Sequence, residues 1–161
     1  EVGMFFPVFI DLEGREVLVI GAGKVAHKKI KKLVEYGPKI TVYSKEVKNE
    51  EISKCENVKI ILENVEADSE KIEKLVENYA LVVAATDNVD LNELIAEICI
   101  RKNILVNNVS SKTKMNAMFG GIVKNDEFQI AVSTNGVNCR RSRAMKSRVQ
   151  KVLDEVENLG K

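Results

Sequence analysis

A glycine turn between a strand-like and a helix-like segment constrains this chain more than any other feature. The turn reads Gly21-Ala22-Gly23-Lys24-Val25-Ala26 and directly follows the apolar run Val17-Leu18-Val19-Ile20. The first glycine permits a tight turn, the second lets the backbone approach a pyrophosphate, and the small Ala26 lets helix and strand pack closely. The unpaired amides of the helix then attract phosphates. The motif predicts a dinucleotide site, and the alternative is a strand-to-helix turn that binds nothing.

Strand-like and helix-like segments alternate through the first two thirds of the chain. Four further apolar runs, rich in β-branched residues, predict strands at 39–43, 58–62, 80–85 and 104–107. Between them, apolar residues recur at helical spacing: Ala26, Ile30, Leu33 and Val34; Ile72, Leu75 and Val76; Leu91, Leu94, Ile95 and Ile98. This alternation predicts an α/β fold with a Rossmann-like, doubly wound parallel sheet that binds ligands at the carboxyl ends of its strands.

The pattern changes after residue 107. The segments Met118 to Lys124 and Phe128 to Ser133 predict an antiparallel hairpin, and a last helix over 138–159 carries an apolar stripe. The members of the stripe are Ala144, Met145, Val149, Val152, Leu153 and Val156. A hairpin and one helix are too small to bury their own apolar faces, so we expect a homodimer.

These segments give a division into three parts. We expect a dinucleotide-binding Rossmann domain over 1–112, an antiparallel dimerisation hairpin over 113–137, and a basic amphipathic C-terminal helix over 138–161.

Charge and composition exclude several classes of protein. The 25 Lys and Arg residues nearly balance the 24 Asp and Glu residues, so no global field attracts nucleic acid or an anionic membrane. No apolar stretch approaches the ~18 residues that span a bilayer, and we expect a cytoplasmic protein. Cys55, Cys99 and Cys139 lack the spacing of a disulfide framework or a zinc site. A lone histidine, His27, is a poor metal site, so no bound metal is expected.

Three separate segments, Met4 to Ala26, Val82 to Asp87 and Ile130 to Gly136, resemble the precorrin-2 dehydrogenase family in their order and spacing. This is the siroheme synthase N-terminal family, and the resemblance extends from Met4 to about Val149. It implies NAD-dependent oxidation of precorrin-2 to sirohydrochlorin, in some members joined to ferrochelation. It also implies a dimer built through the hairpin and the C-terminal helices.

One departure from the family concerns catalysis. After a strand like 105–107 the family has an aspartate as its proposed acid/base group, and this chain has Ser110 there. Ser110 is therefore the candidate catalytic position, although a hydroxyl has no useful basicity near neutral pH. Dehydrogenation can survive this change if the protein mainly orients the reactants. Metal insertion would suffer more, because it needs a base to remove the pyrrole protons.

The cofactor implied by the resemblance is NAD. The residues expected to contact it are Gly21, Ala22, Gly23, Lys24, Val25, Lys45, Glu46, Ala85 and Thr86. An acidic residue after the second strand holds the ribose 2′-hydroxyl of NAD, whereas a basic residue accommodates the 2′-phosphate of NADP. Glu46 and Lys45 offer both possibilities, and either side chain can equally point into water. Asp87 precedes a helix and is expected to be its N-cap rather than a ligand.

A basic run near the C-terminus is the candidate substrate site. It contains Arg140, Arg141, Arg143, Lys146, Arg148 and Lys151, with no acidic residue among them. It is either a solvated helix face, balanced by later acidic residues, or a site for the carboxylates of the anionic tetrapyrrole. Nucleic acid is not favoured, because aromatic residues are not interleaved. The residues expected to bind substrate are Asn107, Asn138, Arg140, Arg141 and Arg143.

Two other functions remain open at this point. The chain can be a chelatase that handles sirohydrochlorin without oxidising it, or an NAD-binding regulatory module that has lost catalysis. The serine at position 110 suits the second of these alternatives.

Overall fold

The computed structural model describes residues 3–159, which form two compact units. The larger unit is Phe6–Ala117, and the smaller one joins residues 3–5 to residues 118–159. The outer limits expected for the first and last parts of the chain, residues 1 and 161, lie outside the described residues.

The larger unit is built on a five-stranded parallel sheet with the strand order β3-β2-β1-β4-β5. The strands are β1 (Glu16–Ile20), β2 (Lys39–Ser44), β3 (Val58–Leu62), β4 (Leu81–Ala84) and β5 (Leu105–Asn108). The strand order reverses at β1, which pairs with β2 on one side and with β4 on the other. The predicted doubly wound parallel sheet is confirmed, and its switch point lies at the carboxyl end of β1.

Helices connect the strands of this sheet. They are α1 (Lys24–Val34), a short 3₁₀ helix (Glu50–Lys54), α2 (Ser69–Val76) and α3 (Val89–Arg101). The 3₁₀ helix was not predicted, because its sequence is mostly charged, yet it buries Ile52 completely. Asn49 caps it by accepting a hydrogen bond from the amide of Glu51 at 3.0 Å.

One hydrophobic core lies between the sheet and the helices α2 and α3. Leu18 and Ile20 of β1 belong to it, together with Val82 of β4 and Val106 of β5. The central strands β1 and β4 are apolar on both faces, as expected for a parallel sheet covered by helices. This packing fixes the strand ends that carry the candidate site.

The smaller unit contains the predicted hairpin and the last helix. The antiparallel strands are β6 (Gly121–Lys124) and β7 (Gln129–Val132), followed by α4 (Cys139–Asn158). The first strand begins three residues later than predicted, because the register pairs Gly121 with Val132, the last residue of β7. Leu153 of α4 is buried, whereas Met145, Val152 and Val156 are exposed. Within residues 3–159, no helix is long and apolar enough to cross a membrane.

Candidate functional site

The first glycine of the turn lies directly against the end of β4. Gly21 has a φ of 115°, and a β-carbon at this position would lie 2.2 Å from the carbonyl oxygen of Ala85. Its amide donates to the carbonyl of Tyr43 at 2.9 Å. Because a side chain would meet backbone here, the position requires glycine.

The second glycine has a different environment. Gly23 is the N-cap of α1, and among the described residues nothing lies within 4 Å of where its β-carbon would be. The helices α2 and α3 are capped by the side chains of Asp68 and Asn88, but α1 receives no side-chain cap from residues 3–159. The first-turn amides of α1 and the open space at Gly23 therefore suit a pyrophosphate.

A cleft of about 570 Å³ opens at this turn, at the carboxyl ends of the central strands. It is lined by every residue expected to contact the cofactor: Gly21, Ala22, Gly23, Lys24, Val25, Lys45, Glu46, Ala85 and Thr86. Lys48 and the loop 64–67 also line it, and neither was predicted from the sequence. The loop could have been found, because it follows β3 and the ends of parallel strands meet at one edge of the sheet.

Lys48 connects the two sides of the cleft. Its Nζ lies 2.9 Å from Oδ2 of Asp87 and 3.8 Å from Oε1 of Glu46. The backbone amides of Lys48 and Asn49 both donate to the carbonyl of Ala22 at 3.1 Å, which holds this loop on the glycine turn. The hydrogen bond between the two side chains lowers the pKa of Asp87 and raises the pKa of Lys48.

The expectation that Asp87 caps a helix is wrong. The N-cap of α3 is Asn88, whose Oδ1 accepts from the amide of Leu91 at 3.0 Å. The helix begins one residue later than an Asp87 cap requires, and Asp87 pairs with Lys48 instead.

Ser110 lies just after β5, in an exposed position. Its amide donates to Oδ1 of Asn108 at 2.9 Å, and its Oγ accepts from Nδ2 of Asn92 at 2.7 Å. Asn92 is completely buried on α3 and was not predicted as a site residue from the sequence. Its signal was a polar residue directly beside the apolar face of a predicted helix, where buried polar groups need hydrogen-bond partners.

Asn107, expected to bind substrate, is buried on β5. Its Nδ2 donates to the carbonyl of Ala117 at 2.9 Å, whereas its Oδ1 has no hydrogen-bond partner within the described part of the chain. The Nδ2 group of Asn107 therefore has a structural role. Contact between Asn107 and the substrate stays a prediction.

The remaining expected substrate residues belong to the smaller unit. Asn138 caps α4, since its Oδ1 accepts from the amide of Arg141 at 3.0 Å. Arg140, Arg141 and Arg143 are exposed on the first turns of this helix. The grouping of three guanidinium groups on one helix end suits carboxylates, and their binding of substrate stays a prediction.

A doubly wound parallel sheet with a glycine turn and a helix N-terminus at its switch point defines a dinucleotide-binding domain of the Rossmann class. Residues 8–121 match the protein family described as "Putative NAD(P)-binding", and the chain belongs to this family.

Similarity to individual proteins extends over most of the chain. The siroheme synthase of Buchnera aphidicola subsp. Acyrthosiphon pisum is 32% identical over 157 residues, which cover 92% of this chain and 31% of that protein. The siroheme synthase of Mannheimia succiniciproducens is 30% identical over 151 residues, covering 94% of this chain and 31% of that protein. This chain thus spans less than two thirds of the length of these curated relatives.

A solved structure named "SirC, precorrin-2 dehydrogenase" superposes with a TM-score of 0.74 at 26% identity. The superposition covers 91% of this chain and 70% of that one. The family resemblance expected from the sequence is confirmed by these similarities.

Proposed function

We propose that this chain is a precorrin-2 dehydrogenase, which oxidises precorrin-2 to sirohydrochlorin with NAD in siroheme biosynthesis. The observation that carries the proposal is the cleft at Gly21 and Gly23, in a chain similar over 91% of its length to SirC. Its similarity to two siroheme synthases supports the same pathway.

The residues of the cleft fit a dinucleotide. The first-turn amides of α1 would hold the pyrophosphate, because no side chain fills the space at Gly23 within the described residues. Glu46 lines the cleft beyond β2, where a carboxylate can accept a hydrogen bond from the ribose 2′-hydroxyl, so NAD is preferred to NADP. When bound, NAD supplies the hydride acceptor of the reaction.

The chain itself contributes binding and orientation. Ser110 offers no base, so the rate enhancement would come from holding the tetrapyrrole against the cofactor. Arg140, Arg141 and Arg143 would bind carboxylates of the substrate through charge-assisted hydrogen bonds. Dehydrogenation releases one proton besides the hydride that NAD accepts, whereas metal insertion displaces two pyrrole protons. The missing carboxylate at position 110 therefore affects metal insertion more than dehydrogenation.

The protein would act as a homodimer. Met145, Val152 and Val156 lie on α4 with 55%, 56% and 40% of their surface exposed. An apolar face of this kind on a helix is typical of a surface that a partner covers, and a second copy of the chain is the partner proposed here. Analytical ultracentrifugation of the wild type tests this, and a sedimentation coefficient of a monomer at all concentrations would contradict it.

Turnover gives the direct test of the activity. Purified protein is mixed with NAD and enzymatically made precorrin-2 under anaerobic conditions, and the absorbances of sirohydrochlorin and NADH are followed. We expect both products to appear in equal amounts, and neither to appear without NAD.

The second candidate function is a regulatory NAD-binding module, favoured by the serine at position 110. NAD binding without any turnover of precorrin-2 would support the regulatory module and contradict the dehydrogenase.

A further inference from the structure

The buried amide of Asn92 joins the loop after β4 to the loop after β5. Its Oδ1 accepts hydrogen bonds from the amide of Thr86 at 3.0 Å and from the Thr86 hydroxyl at 2.6 Å. Its Nδ2 donates to the carbonyl of Thr86 at 2.9 Å and to Oγ of Ser110 at 2.7 Å. Because the Thr86 amide can only donate and its carbonyl can only accept, the orientation of the Asn92 side chain is fixed.

These bonds use the full capacity of the side chain. An asparagine amide has two N–H donors and an oxygen with two lone pairs, and each of them is paired here. In the described part of the chain Thr86 lines the cleft, whereas Asn92 is fully buried and Ser110 is exposed after β5, outside the cleft lining. Any effect of Asn92 on a ligand must therefore pass through Thr86 or Ser110.

The bond to Ser110 sets the direction of its hydroxyl group. Since Nδ2 of Asn92 donates to Oγ, the hydroxyl hydrogen of Ser110 is left to be donated elsewhere. The amide of Ser110 is held by Asn108, so the backbone at this position is also fixed. Ser110 is exposed and thus presents a hydrogen-bond donor, which suits a carboxylate.

We propose that Asn92 is a positioning residue for the dehydrogenase reaction. Its amide directs the Ser110 hydroxyl as a donor toward a carboxylate of the substrate, and it holds the Thr86 loop against the cofactor cleft. This inference rests on the proposed function, because it assigns the donor to the substrate of that reaction. It gives Ser110 a role in binding that needs no basicity.

The substitution Asn92→Asp tests the proposal. A carboxylate can still accept from the Thr86 amide, but its second oxygen would also accept the hydroxyl hydrogen of Ser110 and so reverse that bond. We expect the KM for precorrin-2 to rise by about threefold to tenfold, as for the loss of one net hydrogen bond. The Kd for NAD should also rise. The carboxylate oxygen that replaces Nδ2 cannot donate to the carbonyl of Thr86, so the Thr86 loop, which lines the cleft, loses a hydrogen bond.

The substitution Ser110→Ala separates the effect on the KM for precorrin-2 from the effect on the Kd for NAD. We expect it to raise the KM for precorrin-2 as much as Asn92→Asp does and to leave the Kd for NAD unchanged. Ser110→Thr, which keeps a hydroxyl, should restore the KM of the wild type. In the double variant the two increases in KM should not add, because both remove the same donor.

A matched control is Asn78→Asp, which makes the same chemical change at an exposed position after α2. We expect it to leave KM and Kd unchanged. If circular dichroism shows that Asn92→Asp does not fold, Asn92→Ser replaces it. Serine is too short to reach Ser110, so the hydroxyl loses the bond that directs it, and we again expect a higher KM for precorrin-2 that does not add to the effect of Ser110→Ala.

Two outcomes would overturn the proposal while leaving the proposed function intact. One is a KM for precorrin-2 in folded Asn92→Asp equal to that of the wild type, and the other is additive increases in the double variant. A wild type that fails to oxidise precorrin-2 would overturn the proposed function, and this inference with it.

Discussion

Gly21 and Ala85 are in direct backbone contact, since a β-carbon on Gly21 would lie 2.2 Å from the Ala85 carbonyl oxygen. Ala85 in turn donates its amide to the carbonyl of Ile20 at 2.8 Å. The turn after β1 and the end of β4 are thus packed without any intervening side chain. Gly23, two residues further on, has no such contact among residues 3–159. The two glycines of the motif therefore have separable roles.

We expect Gly21→Ala to destabilise the folded protein by about 2 kcal/mol or more. The methyl group meets backbone, and the positive φ is a conformation that residues with a β-carbon rarely adopt. Urea denaturation followed by circular dichroism measures the effect, with Gly23→Ala as the control. Equal denaturation midpoints for the two variants would contradict the packing described here.

Gly23→Asp should leave the fold intact and abolish NAD binding. A side chain at this position meets open space, but a carboxylate would occupy the place of the pyrophosphate and repel it. Isothermal titration calorimetry with NAD checks this, and Gly3→Asp makes the same change at a position that is also open. A folded Gly23→Asp variant with the NAD affinity of the wild type would show that the cofactor does not bind at this turn.

The residues after β2 should set the choice between NAD and NADP. Both Lys45 and Glu46 line the cleft. We expect Glu46→Ala to shift the preference toward NADP, because a carboxylate repels the 2′-phosphate, and Lys45→Ala to shift it toward NAD. Calorimetric titration of each variant with both cofactors gives the ratio of the two Kd values. If neither ratio changes, both side chains lie away from the ribose.

Neutralising the basic end of α4 should weaken substrate binding alone. We expect the triple substitution of Arg140, Arg141 and Arg143 by glutamine to raise the KM for precorrin-2 by about tenfold or more, since charge-assisted bonds are lost. The Kd for NAD should stay constant, because these residues are not part of the glycine turn. Steady-state kinetics and calorimetry measure the two quantities.

A control for this triple variant removes the same charge elsewhere. Lys39, Lys59 and Lys102 are exposed, and their replacement by glutamine tests whether net charge alone matters. A rise in KM equal to that of the arginine variant would contradict a specific carboxylate site on α4.

Burial protects the thiol of Cys99 and raises its pKa to about 12 from the usual 9.0. Because the folded state favours the neutral thiol, this contribution to stability is fully present below about pH 9 and is lost as the pH rises toward 12. We expect the free energy of unfolding of the wild type to fall across this range relative to that of Cys99→Ala. Chemical denaturation at a series of pH values measures the difference, and parallel curves would contradict it.

Labelling with a thiol-reactive reagent offers a second check on the burial of Cys99. Cys139 is exposed at the start of α4, and Cys99 is fully buried. Near neutral pH we expect rapid labelling at Cys139 and labelling at Cys99 only after unfolding.

The sequence was sufficient for the sheet, because the strands are short β-branched runs and the helices have apolar residues at regular spacing. The glycine turn likewise predicted its own part of the cleft lining, Gly21 to Val25, since its geometry is local, whereas Lys48 and the loop 64–67 were not predicted. The Lys48 to Asp87 ion pair could not be predicted, because it depends on how the loops after β2 and β4 approach each other. Asp87 and Asn88 are both good N-caps by type, and only the backbone shows that Asn88 begins α3.

The contacts of Asn92 also could not be predicted from the sequence. Its position on α3 was visible in the sequence, but its partners Thr86 and Ser110 come from two different loops. Pattern alone gave no reason to place these side chains together, and their meeting follows from the parallel alignment of β4 and β5.

The four hydrogen bonds of Asn92 also determine when the conformational entropy of the two loops is lost. Because Asn92 is fully buried and bonded to both loops, we expect the loops to become ordered during folding and not on the encounter with a ligand. Preorganisation of this kind leaves more of the interaction energy available for affinity. If Asn92 has the positioning role proposed above, the stability of the free protein and the strength of binding depend on one side chain.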